Sequence, residues 1–145
     1  MDALGILAAK IETSDYLLRK QELMKWAEED LLESLRAALA SPEFEHGLSV
    51  HAQVSFGAVF RHGPLYREVK HIRPDFMIAD SGRFPVAFVD YLGAGHDADF
   101  DVVKRAVAKK ARMEFVQVPA GWTPQMLRML LLEAGLGARA ASRAA

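Results

Sequence analysis

Apolar residues recur every seven positions at Leu17, Met24, Leu31 and Ala38, with Ala27, Leu35 and Leu39 on the same side, and this spacing predicts a long helix with one buried face. Thr13, Ser14 and Asp15 supply N-cap candidates for it, and Pro42 follows its expected end near Ala40. A short amphipathic helix over residues 1–11 precedes it, and Trp26 is placed at the edge of the stripe. The period then changes to two. Leu48, Val50, Ala52, Val54 and Phe56 alternate with Ser49, His51, Gln53 and Ser55, which predicts a half-buried strand with His51 and Gln53 on its polar face.

Residues 76–79 and 84–91 read as two buried strands, and Asp80-Ser81-Gly82-Arg83 between them suits a hairpin turn. Gly93 and Gly95 allow a bend. Asp97 or Asp99 can then cap a helix running to about Ala111, with Asp101 in its first turn and Lys109, Lys110 and Arg112 in its last, in agreement with the helix dipole. Val102, Val103, Ala106 and Val107 are its expected buried face, which leaves Lys104 on the flank. Phe115, Val116 and Val118 form another buried strand, closed by Pro119. Trp122, Thr123, Pro124 and Leu127 make a staple, a cap and a first-turn proline for a last helix to about Ala134, ended by Gly135 and Gly137.

The order helix, strand, two-strand hairpin, helix, strand, helix predicts an α/β sandwich of two or three layers, with a central mixed sheet of about four strands flanked by helices. Residues 1–135 are expected to form a single domain with an N-terminal helical extension, and residues 136–145 a disordered tail.

Composition narrows the chemistry. In 145 residues, 51% apolar and 26% charged content is ordinary for a soluble globule, and 18 basic against 19 acidic residues gives a net charge of −1. There is no global basic field, so nucleic-acid binding would rest on a local patch. The absence of cysteine removes disulfides, thiolate metal sites and a cysteine nucleophile, and fits a cytoplasmic protein. No apolar stretch approaches the length of a membrane span, so neither a leader nor an anchor is expected. A Walker-type glycine loop, a His-Glu-x-x-His pair and a Gly-x-Ser-x-Gly elbow are all missing.

Candidate chemistry concentrates between Arg73 and Lys104. With a turn near Ser81-Gly82, cross-strand partners have numbers summing to roughly 163–165, which sets Asp75 opposite residue 88, 89 or 90 and so near Asp90. Opposed side chains lie about 5 Å apart, and like charges there need compensation. A hard cation such as Mg²⁺ compensates two carboxylates; alternatively one aspartate only caps a strand end in solvent. Glu28 falls on the helical stripe with Leu31 and Leu35 and is a third candidate acid, or else part of a solvated acidic face with Glu29, Asp30 and Glu33. Arg61, Arg67, Lys70 and Arg73, with His62 and His71, make the best local basic patch, either a phosphate contact or a soluble loop.

Asp75-Phe76 opening one strand, Asp90 ending the next, Gly-x-x-His to His96, Asp101-x-x-Lys104 on the following helix, Glu28 on the first long helix, the Gln53-Val54 strand and the apolar strand 115–118 together resemble the restriction-endonuclease-like PD-(D/E)xK superfamily. Within it they look closest to an uncharacterised bacterial branch near the very-short-patch-repair-type endonucleases, over residues 16–132. The resemblance implies Mg²⁺-dependent DNA phosphodiester cleavage, with Asp75 and Asp90 holding the metal, Glu28 as auxiliary acid, a lysine orienting or deprotonating the attacking water, His96 contacting phosphate or water, and Arg61, Arg67, Lys70 and Arg73 contacting the DNA backbone. The chain departs from the pattern at Leu92, where a lysine or another polar group belongs, and at Asp90, one methylene shorter than the usual glutamate. Either Lys104 has taken over the lysine's role, or the site has decayed to a binding or scaffolding one. A rival reading is a non-catalytic module that binds a protein partner or forms a homodimer through its N-terminal helices or a sheet edge.

Overall fold

The computed structural model describes residues 2–15, 18, 26–61 and 63–138. The chain forms an α/β sandwich around a four-stranded mixed sheet of order β1-β2-β3-β4, comprising β1 (Ser49–Ala52), β2 (Phe76–Ala79), β3 (Pro85–Leu92) and β4 (Glu114–Pro119). The first three strands run antiparallel to their neighbours, and β3 and β4 are parallel, joined by the crossover helix α5 (Asp101–Ala111). The other helices are α1 (Ala3–Thr13), α2 (Trp26–Leu39), the single-turn α3 (Phe56–Val59) and α4 (Tyr66–Val69), and α6 (Pro124–Glu133). None of the helices among the described residues is long and apolar enough to cross a membrane.

Strand alternation sorts the core into two clusters. Val50, Phe76, Ile78, Ala87, Val89, Val116 and Val118 face α2 and α6, whose Leu31, Leu35, Leu127 and Leu131 complete the larger core. Met77, Phe88 and Phe115 face the other way, against Phe56 of α3 and Ala108 of α5. There Phe88 stacks on Phe115, with ring centroids 4.9 Å apart.

Several local expectations are met for the reasons given. Thr123 caps α6 by accepting from the Met126 N–H, with Pro124 at its start, and Gly135 takes φ 78° just past its end. The hairpin pairs Phe76 with Val89 and Met77 with Phe88, before a register shift between Ile78 and Ala79.

Others are corrected. Thr13 ends α1 and Ser14 is its C-cap, so this segment does not start α2; Leu17 and Met24 of the predicted stripe lie outside the described residues. The strand read over residues 48–56 stops at Ala52, because Gln53 adopts φ 58° and its N–H bonds to the Asp75 carbonyl, after which the chain crosses to the other side of the sheet and buries Phe56 there. In α5 the predicted face is mostly corrected: Val107 packs on the second core, but Val102 is 72% exposed and Val103 is also exposed, whereas Asp101, Lys104 and Ala108 are buried. The sheet end beneath this helix is polar, so polar side chains turn inward. Leu136 is buried and Gly137 bridges to Phe44, so the first residues assigned to the tail pack on the core; residues 139–145 lie outside the described part.

Candidate active site

Extending the observed hairpin register by one residue sets Asp75 opposite Asp90, and the parallel pairing sets Asp90 beside Gln117. Alternation puts Asp90 and Gln117 on the α5 side of the sheet, in line with Phe88 and Phe115. This row lies at the carboxyl ends of β3 and β4, where α/β sheets commonly hold ligands. The first turn of α5 covers it.

Asp90 is 1% exposed and Lys104 7%. One Asp90 oxygen, Oδ2, pairs with Lys104 Nζ, and the other, Oδ1, accepts the Asp75 backbone N–H at 3.1 Å. Asp75 in turn accepts the Tyr91 N–H on Oδ2 at 2.7 Å. Each aspartate therefore holds the backbone beside the other, locking the two strand ends together. Burial raises the Asp75 carboxyl from its ordinary 3.8 to about 6; the Tyr91 N–H opposes this, the charges of Asp90 and Glu28 add to it, and Lys104 opposes it. A carboxylate poised near neutrality in a cleft is a candidate base.

A second network adjoins the first. His96 Nε2 lies 3.0 and 3.1 Å from the two Asp101 oxygens. Asp101 also accepts from Gln117 Nε2 at 3.1 Å, and Gln117 accepts from Arg105 at 3.1 Å. Burial pushes the Asp101 carboxyl up, but His96, Lys104 and Gln117 together outweigh that and hold it below the usual value. The carboxylate therefore acts as an acceptor, which fixes a proton on His96 Nε2 and leaves Nδ1 as the imidazole's second polar atom. The loop carrying His96 is bent at Gly93, where a side chain would collide with the Tyr91 ring: a Cβ there would lie 2.1 Å from it. The His96 N–H bonds back to the Gly93 carbonyl.

These groups open onto a cleft of about 620 Å³. Glu28, Asp75, Asp90, His96 and Lys104 all line it, so the five candidate catalytic residues come together. Glu28 arrives from the start of α2 and accepts from Gln53 Nε2 at 3.4 Å. The basic cluster is divided: Lys70, His71 and Arg73 line the cleft, Arg67 is exposed on α4, and Arg61 lines a separate apolar groove. His62 lies outside the described residues.

A metal has two overlapping donor sets here. Asp75 and Asp90 offer carboxylate oxygens, as a hard cation prefers. Among the described residues, Asp90, His96 and Asp101 also present one ligand atom each within 4.8 Å of one another. Either set could hold a divalent ion, because Asp75, Asp90 and Asp101 all interact with the one buried ammonium of Lys104, which is ion-paired to Asp90. Compared with family models, curated proteins and solved structures, the chain matches none. The site is thus described by its geometry.

Gln117 and Arg105 were not singled out from sequence. Gln117 interrupts an apolar strand at the position facing α5, and that period-2 polar break was the available signal.

Proposed function

We propose that this chain is a divergent domain of the PD-(D/E)xK nuclease superfamily that binds DNA across the Asp75–Asp90 cleft and cleaves phosphodiesters there with Mg²⁺. The observation that carries the reading is the buried ion pair between Lys104 and Asp90, in the same cleft as Asp75. It supplies an ammonium beside the second acid of the motif from α5, where Leu92 on β3 cannot.

Asp75 and Asp90 would hold the ion, which when bound polarises the phosphate and lowers the pKa of an attacking water. Asp75, whose Oδ2 accepts the Tyr91 N–H, is held with its carboxylate at the cleft where it would meet the ion. Lys104 orients Asp90 through the ion pair, and its remaining N–H groups can donate to a phosphate oxygen. His96, fixed through Nε2 by Asp101, offers Nδ1 as a donor to the leaving oxygen when protonated. Lys70 and Arg73 on the cleft wall supply charge for the flanking phosphates. A cysteine-free chain acting on DNA with Mg²⁺ suits a bacterial cytoplasm.

The test is nicking of supercoiled plasmid with Mg²⁺ or Mn²⁺, paired with calorimetric metal titration of wild type and Asp75→Ala. Wild type is expected to bind the ion and nick; Asp75→Ala is expected to lose nicking and bind more weakly. Absence of both nicking and metal binding in wild type would end the enzymatic reading. The alternative, a non-catalytic interaction or dimerisation module on the same fold, is favoured by a different observation: apolar residues of α1 and of the outer side of α5 are exposed.

A further inference from the structure

Two apolar surfaces face solvent, one a helix and the other a groove. The first is helix α1, of which no residue is buried. Leu4, Leu7, Ala8 and Ile11 recur at i, i+3, i+4 and i+7 as a stripe, and Leu4, Leu7 and Ile11 are all more than half exposed, as is Ile6 on the other side of the helix. The helix has 11 residues and an N-terminus capped by Asp2. A lone helix of that length is marginal in water, because nucleation is costly and packing supplies most helical stability. It needs a surface to lie on.

The second is a valley of about 680 Å³ between the segment holding α4 and the outer side of α5. Phe60, Leu65 and Val69 form one wall, and Val103, Val107 and Ala111 the other. Val107 and Ala111 also pack on the second core, but Val102 and Val103 remain exposed on the outer side of α5. Arg61 and Lys110 are the charged residues among those lining the valley, with no acid among them, and Glu12 borders the α1 stripe.

We propose that the α1 stripe of one copy seats in this valley of a second copy, with the exchange reciprocated, so that two chains form a closed two-fold dimer. Stripe anchors at i, i+3, i+4 and i+7 are how an amphipathic helix reads a groove, and a reciprocal exchange fills both grooves and leaves no open end. A second copy is favoured over the chain's own groove because within the chain α1 stands clear of the valley: none of its residues is buried. Glu12 meeting Arg61 or Lys110 adds charge complementarity at the rim. The proposal does not depend on the nuclease reading.

The full chain, run by size-exclusion chromatography with light scattering across micromolar concentrations, is expected at the mass of two chains. Leu7→Glu and, separately, Val103→Glu are each expected to reduce it to one. Both positions are exposed, so a retained cooperative melt shows that the core fold is intact, even where α1 loses helicity with its partner. Because the chain has no cysteine, Leu7→Cys mixed with Val103→Cys reads the contact directly: a disulfide should trap a heterodimer, while Leu7→Cys mixed with Phe84→Cys, on the distant hairpin, should not. A wild type that stays monomeric, a dimer that survives Leu7→Glu, equal trapping of the two mixtures, or a disulfide that forms only within a single chain carrying both Leu7→Cys and Val103→Cys overturns the proposal.

Discussion

The two sides of the sheet are built on different terms. On the α2 and α6 side, leucines from the helices meet Val, Ile, Phe and Ala from all four strands, and the cluster holds no charge. On the α5 side the same strands bury Phe88 and Met77 at one end and Asp90 at the other, and α5 answers with Ala108 at one end and Lys104 and Asp101 at the other. Apolar burial stabilises in proportion to area and asks little of geometry. Buried charges stabilise only while every partner is in place, and no buried side-chain nitrogen or oxygen among the described residues lacks one. The difference separates a side that holds the fold from a side on which stability is spent on arranging reactive groups.

Removing one partner of the buried pair should show the contrast most strongly. Lys104→Met leaves Asp90 buried without its ammonium and is expected to cost about 3–5 kcal/mol in denaturant melts, with Lys104→Met plus Asp90→Asn recovering much of the loss. If the double variant is no more stable than the single, the pair is not the source of the cost. On the other side, Leu131→Ala should cost about 2–5 kcal/mol through a cavity, yet leave metal affinity by calorimetry unchanged. A shift in affinity there would mean that the two sides are coupled.

Asp75 should behave in the opposite sense. Its folded carboxyl holds a proton up to about 6 against 3.8 when unfolded, so folding binds a proton between those values: stability falls as pH rises through that window, and the penalty is constant above it. Asp75→Asn keeps an acceptor for the Tyr91 N–H and removes the penalty. It should gain about 1 kcal/mol at pH 7, a figure reduced for the solvent that reaches the site, gain nothing near pH 3, and nick no plasmid. Equal stability of the two proteins at pH 7 would remove strain at Asp75 from the account. Asp101 has the other sign: its folded carboxyl lies below the ordinary value, so the stability it gives is full above 3.8 and disappears as pH falls through its folded value. The destabilisation caused by Asp101→Asn should therefore shrink on acidification. The smallest effect belongs to the cleft wall, where Lys70→Ala should reduce the salt slope of DNA retention by about 1 and leave the melt unchanged.

How much of this was legible depends on the interaction involved. The hairpin apposing Asp75 and Asp90 could be read because a two-residue period and a tight turn fix register locally, and the Thr123-Pro124 start of α6 because a cap is a contact between near neighbours. The orientation of α5 could not. Val102, Val103, Ala106 and Val107 make a plausible buried stripe, and only the polar row of Asp90 and Gln117 on the adjacent strands makes burying Asp101 and Lys104 the better arrangement. The end of β1 was hidden similarly, since the left-handed turn at Gln53 is stabilised by a bond to the Asp75 carbonyl, 22 residues along the chain by number.

The sequence by itself determined helices α5 and α6 and strands β2, β3 and β4, that β2 and β3 form a hairpin, and that its open end brings two carboxylates together, because periodicity, caps and turns act over a few residues. Tertiary structure decided that Lys104 is buried against Asp90, that Asp101 holds His96, and that the outer side of α5 is left apolar and exposed. Those outcomes depend on which faces two separate elements present to each other, and the interactions that choose between faces exist only once both are in place.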